Sequence, residues 1–193
     1  MLHRFTPLSA AALFVISSAA TALAGQVTIK GTHLCCGACQ TRAEKALAGI
    51  PGLTKASVDR NSKVISFVAA NTKAVTAGIA SLAKSGFYGA AIHEKTPVKF
   101  PATGAKKNVR GETHTLRGVH LCCDACVVGA QKAVETVKGL QAIEIDRKVR
   151  TVKLIGKEIS LAEAIRALQK AGFYAHVRVP KKPKSPKSPK KKK

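Results

Sequence analysis

The stretch Gly31-Thr-His-Leu-Cys-Cys-Gly-Ala-Cys39 is written again, 87 residues further on, as Gly118-Val-His-Leu-Cys-Cys-Asp-Ala-Cys126. The same offset carries Val58-Asp-Arg60 onto Ile145-Asp-Arg147. One residue is then lost, and Lys84-Ser-Gly-Phe-Tyr88 falls on Lys170-Ala-Gly-Phe-Tyr174. Landmarks kept in one order over stretches of about 68 residues mark an internal duplication. Two units follow, residues 26–93 and 113–179. Units this small bury only about 60% of their unfolded surface, so a bound metal would add stability.

Periodicity gives each unit its order of elements. Residues 26–30 alternate apolar and polar, as a half-buried strand does. The cysteine string follows, and then Ala43, Ala46, Leu47 and Ile50 recur at helical spacing up to Pro51-Gly52. Residues 53–59 and 64–68 read as strands around a turn. Val75, Ile79 and Leu82 form the face of a second helix that Gly86 would stop, and residues 87–92 form a last strand. The second unit repeats this with Leu116, then Ala130, Ala133, Val134 and Val137, then Ile143, Ile145, Val152 and Leu154, then Leu161, Ala164, Ile165 and Leu168 before Gly172. The order βαββαβ predicts an α+β chain of two tandem ferredoxin-like domains, each a four-stranded antiparallel sheet with two helices on one face.

Composition agrees with folded domains. Hydrophobic residues make up 46% of the 193, which excludes wholesale disorder. Lys and Arg number 33 against 10 Asp and Glu, a formal net charge of +23. Residues 1–24 read as a cleaved secretory signal. Arg4 supplies the positive start, residues 10–16 a short apolar run, and Ala22-Leu-Ala24 the small residues before a cut. The expected location is therefore the periplasm or the cell exterior. Residues 94–112, with Pro97, Pro101, Gly104 and several Lys, read as an extended, mobile linker. Residues 180–193 hold eight Lys and four Pro and read as a disordered tail.

An oxidising compartment demands a reason for free thiols. In each unit His, two adjacent Cys and a further Cys sit between the first strand and the first helix. Unpaired N–H groups and the positive end of the dipole favour thiolate there, and thiolate is the form that grips soft metals or attacks disulfides. The best ligand pairs are Cys36 with Cys39 and Cys123 with Cys126. Cys35, Cys122, His33 and His120 are further candidates, and three Cys plus one His would complete a tetrahedral site suited to Zn(II). A structural disulfide, a thiol–disulfide redox role and a non-metal interaction module with a basic surface anchor are the competing readings, and two domains on one linker could also share a single ion. No acid/base or nucleophile constellation recurs, so an enzyme is not expected.

A βαββαβ unit with C-x-x-C in its first loop resembles the heavy-metal-associated (HMA) domain family, over both repeats. That family includes copper chaperones, the metal-binding domains of P-type ATPases and periplasmic mercury carriers. The resemblance implies one soft ion per domain, Cu(I) or Zn(II) before others, held by Cys36 and Cys39 and by Cys123 and Cys126. It implies a metal-transporting ATPase or another metal carrier as partner. It also matches the family's Gly-Tyr/Phe to Gly86-Phe87 and Gly172-Phe173, whose aromatic ring commonly packs beside the metal loop. Leu34 and Leu121 stand where the family has Met, and the extra Cys and His depart from its two-ligand pattern.

The remaining features read more plainly. His93, His114 and His176 read as surface residues, and Tyr88 and Tyr174 as packing. Lys84 and Lys170 suit the ends of helices. RNA recognition through this topology needs aromatic residues on the central strands, and only Phe67 is there. No specific nucleic acid is therefore expected. The Lys tail reads as an anchor for anionic envelope surfaces.

Overall fold

A computed structural model describes residues 24–178. The expected tail and nearly all of the expected leader lie outside the described residues.

The first repeat runs β1 (Gly25–Lys30), α1 (Gly37–Leu47), β2 (Leu53–Asp59), β3 (Val64–Ala69), α2 (Thr72–Lys84) and β4 (Ala90–His93). Alternation sends Val27 and Ile29 of β1, and Ile65, Phe67 and Ala69 of β3, to the inner face. Asn71 caps α2, its Oδ1 accepting from the Ala74 N–H at 2.9 Å. The C-terminal stop is Gly86, at φ +90. Cys39, Ala43 and Leu47 of α1 and Val75, Ile79 and Leu82 of α2 are buried.

The second repeat runs β6 (Arg110–Arg117), α3 (Asp124–Val134), β7 (Leu140–Asp146), β8 (Thr151–Ser160) and α4 (Leu161–Lys170). Ser160 caps α4 through the Glu163 N–H. All strand pairs are antiparallel, as expected, and each repeat places its third strand between the first and second.

The expectation of four strands in each sheet needs correction at both ends. The first sheet has five, in the order β2-β3-β1-β4-β5, because the chain turns at Glu94 (φ 55) and β5 (Thr96–Val98) pairs back onto β4. The second has three, β6-β8-β7. Its last strand is reduced to a single bridge between Arg117 and His176, since the next residue turns its N–H to the Thr103 carbonyl instead.

Residues 94–112 are thus not a free linker throughout. Besides β5, Phe100 packs on Tyr88 at 4.8 Å between ring centroids, and the Tyr174 hydroxyl donates to the carbonyls of Pro101 and Ala102. A composition rich in Pro and Lys hides these aromatic anchors.

The two repeats meet through the segments that follow their second helices. Phe87 and Phe173 form an antiparallel bridge, flanked by Tyr88 N–H to Gly172 O at 3.0 Å and Tyr174 N–H to Gly86 O at 2.8 Å. A pseudo-twofold relation results, and one buried core takes residues from both repeats. Among the described residues no helix is long and apolar enough to cross a membrane.

Candidate metal centre

Each cysteine loop is set by the start of its helix. Cys36 and Cys123 are the N-cap residues, with extended backbones. Their carbonyls accept the first N–H groups of α1 and α3, from Cys39 and Gln40 and from Cys126 and Val127. Neither side chain makes a regular capping hydrogen bond, and both sulfurs face the other thiols instead. C-x-x-C therefore spans the N-cap and the first turn, where the dipole favours thiolate.

The loops are held together by the bridge between repeats. Gly172 (φ +83) lies directly against the His33 N–H and the Gly31 carbonyl, and Gly86 against the His120 N–H and the Gly118 carbonyl. An added Cβ at either place would collide with backbone. The aromatic residues beside the loops are exchanged between repeats. Phe87 sits 4.2 Å from the His120 ring, and Phe173 stacks at 4.2 Å on His33. Each ring thus fixes the histidine of the opposite loop, a relation that a single repeat cannot reveal.

The consequence is one cluster containing all six cysteines. Within repeats, Cys36–Cys39 and Cys123–Cys126 are 3.5 Å apart, sulfur to sulfur. Across repeats, Cys35 lies 3.5 Å from both Cys123 and Cys126, Cys39 lies 3.5 Å from Cys122 and 3.6 Å from Cys126, and Cys36 lies 3.7 Å from Cys123. All six are free thiols. His120 Nε2 approaches Cys39 Sγ at 3.3 Å. Cys39, His120, Cys122 and Cys126 form one donor group, with all ligand atoms within 4.8 Å of one another. His33, Cys35 and Cys126 form a second, and Cys35, Cys36 and Cys123 a third.

This donor set fits a soft metal. Tetrahedral coordination at a Zn–S distance of about 2.3 Å separates the sulfurs by about 3.8 Å, and the observed separations need only slight expansion. Each histidine of the cluster keeps one buried ring nitrogen without a hydrogen-bond partner, Nε2 of His33 and Nδ1 of His120. All eight residues expected as ligands come together, but they are not sorted by repeat. The pairs Cys36/Cys39 and Cys123/Cys126 adjoin one another, with Cys36 3.7 Å from Cys123 and Cys39 3.6 Å from Cys126.

The protons are unevenly shared. The Cys39 sulfur is held far below the ordinary thiol range, first by the hydrogen bond from Cys126, against its own burial, and then by His120 and Cys122. Cys126 is correspondingly raised, by donating to Cys39 and by burial. Burial, followed by its bond to Cys39, pushes Cys122 up to about 12. Burial also raises Cys35. For Cys123, burial is outweighed by the Cys126 backbone N–H and neighbouring thiols, and its pKa is lowered. Burial lowers the pKa of His33. Within the cluster, hydrogen bonds therefore favour ionisation at Cys39 over Cys126, Cys122 and Cys35.

The surroundings are basic. A groove beside Cys122 is lined by Arg42, Lys45, Arg147 and Lys148. Arg147 pairs with Asp124 at 2.6 Å and donates to the Cys122 carbonyl at 3.0 Å. Arg150 clamps the junction. Its Nε donates to Val119 O, and its Nη2 to Gly118 O and Lys84 O. Sequence reading missed Arg150, since Lys63 occupies its place in the first repeat and no periodicity singles it out. It also placed His93 and His114 on the surface. Both are half-buried, and His114 Nε2 donates to Ile159 O at 2.9 Å.

No protein-family model and no curated protein matches the chain. Among solved structures, it is similar to oxidized MerP from Ralstonia metallidurans CH34, at 23% identity and a TM-score of 0.33 over 35% of this chain and 96% of that one. It is also similar to the N-terminal soluble domains of Bacillus subtilis CopA, at 20% identity and a TM-score of 0.29 over 81% of this chain and 96% of that one.

Proposed function

We propose that the chain is an exported metal-binding protein of the HMA type, built from two tandem copies, which captures, buffers or hands off a thiophilic ion of the Cu, Zn or Hg class. One observation carries this reading: Cys39 of the first repeat converges with His120, Cys122 and Cys126 of the second on a common point. Three sulfurs and one imidazole are a tetrahedral soft-metal set. Hand-off proceeds by ligand exchange, a partner thiolate bonding the ion as a host thiolate leaves. The exposed Cys35 is the natural place for the incoming ligand. A metal-transporting ATPase or another carrier suits that chemistry, and the Lys tail would hold the protein near anionic envelope surfaces. We read it as a carrier, not an enzyme.

Thiols in contact at 3.5 Å also favour a second reading, a thiol–disulfide redox protein. Elemental analysis of the anaerobically purified protein, with thiol titration of the same sample, separates the two. Bound metal with reduced thiols supports the carrier. Oxidised thiols, no metal and turnover in a disulfide-reduction assay overturn it.

A further inference from the structure

The three donor groups in the cluster are not separate. The group Cys39/His120/Cys122/Cys126 shares Cys126 with His33/Cys35/Cys126, and that group shares Cys35 with Cys35/Cys36/Cys123. A thiolate has lone pairs enough to bridge two metal ions, and a shared sulfur between adjacent groups is where a bridge forms. We propose that the centre is polynuclear: it holds three monovalent soft ions of the Cu(I) class per chain, bridged by the sulfurs of Cys126 and Cys35. This rests on the metal-binding reading above and extends it to nuclearity and ion class.

Coordination number points to the ion. Two of the three groups offer only three donors, whereas structural Zn(II) is almost always four-coordinate. Soft thiolates select Cu(I), which does not require a fourth ligand. The histidines add to the argument. His120 is only 1% exposed, and His33 Nε2 is buried without a partner. Each ring is pinned by a phenylalanine from the opposite repeat, so both enter the cluster already oriented. Charge agrees as well. Six thiolates and three monovalent ions leave about three negative charges, and the exposed Arg42, Lys45, Arg147 and Lys148 line the adjoining groove. Loading involves no redox change. Each metal–sulfur bond that replaces an S–H bond releases that proton to water.

The test is anaerobic titration of the full chain with Cu(I) supplied as its acetonitrile complex, read by native mass spectrometry. Three ions per chain are expected, and in parallel a single equivalent of Zn(II) held tightly. The exposed Cys35 gives a safe variant. In Cys35→Ser the two groups that share this sulfur are broken, and the count falls from three to one with the far-UV circular dichroism unchanged. Wild-type protein that saturates with one Cu(I) overturns the polynuclear centre and leaves the carrier reading intact. Protein that binds no metal overturns both. Three ions retained by Cys35→Ser contradict the bridging role, and three tight Zn(II) with fewer Cu(I) contradict the ion class.

Discussion

Cys39 is the residue on which the centre turns, because it is fully buried and touches Cys35, Cys36, Cys122, Cys126 and His120. Replacing a group that merely orients a ligand costs about 10–100-fold in metal affinity, so Cys39→Ser, which removes a ligand, should lose at least that much in a competitive titration. The distribution of protons sets a pH dependence. In the tetrahedral group Cys39 is drawn down by its neighbours, while Cys122 and Cys126 are raised above the usual thiol range and favour the protonated form. Metal must displace two protons, so apparent affinity should rise about a hundredfold per pH unit between roughly pH 7 and 8. Titration against a chelator across that range checks the slope. A flat profile would mean that the thiols ionise before metal arrives. A second residue pair belongs to the core. Gly78 in α2 faces Phe67, and an added Cβ would lie 2.7 Å from the ring. The second repeat has Ala164 and Leu154 at the corresponding places, both fully buried, so a smaller strand residue accompanies a larger helix residue. Gly78→Ala should cost about 1–3 kcal/mol by overpacking. Adding Phe67→Leu should recover part of it in a double-mutant cycle measured by chemical denaturation.

At the level of elements, most of the architecture was legible because strands and helices bury one face each. Val27 and Ile29, or Val75, Ile79 and Leu82, declare their element by spacing alone, and all five are buried. Turn chemistry was equally direct at Gly86 and Gly172. Sequence did not show what those glycines approach. They are needed for φ near +85 and also because the backbone of the opposite loop lies against them. That contact depends on the placement of two repeats, which no local pattern encodes. The same holds for β5 and for the lost fourth strand of the second sheet, both decided by where residues 94–112 pack. Gly172→Ala should therefore act at a distance. Backbone strain and collision of about 1–3 kcal/mol should lower the melting temperature and separate the loop of His33 from the second repeat. Metal affinity should fall although no ligand has changed. Unchanged affinity in a destabilised variant would show that the bridge does not position the loops.

On the scale of the whole molecule, duplication has a use beyond doubling capacity. Each repeat brings three cysteines and a histidine, and the bridge between Phe87 and Phe173 merges them into one centre. The eight donors were legible in the repeated string, since three thiols and an imidazole recur together at the start of each first helix. Sharing of an ion by the two domains was an open option in the sequence, but which donors converge was not legible, because spacing within a repeat is silent about distances between repeats. A shared centre also couples metal to the docking of the two halves, so bound ion should stabilise the full chain by mass action. The most direct measurement is a competitive metal titration of the full chain in which Cys35, Cys36 and Cys39 are all replaced by Ser. A centre built from both repeats predicts that Cys122, Cys123 and Cys126, though untouched, lose affinity by about a hundredfold or more. Retention of half the metal at wild-type affinity would contradict it, for then each repeat would bind on its own.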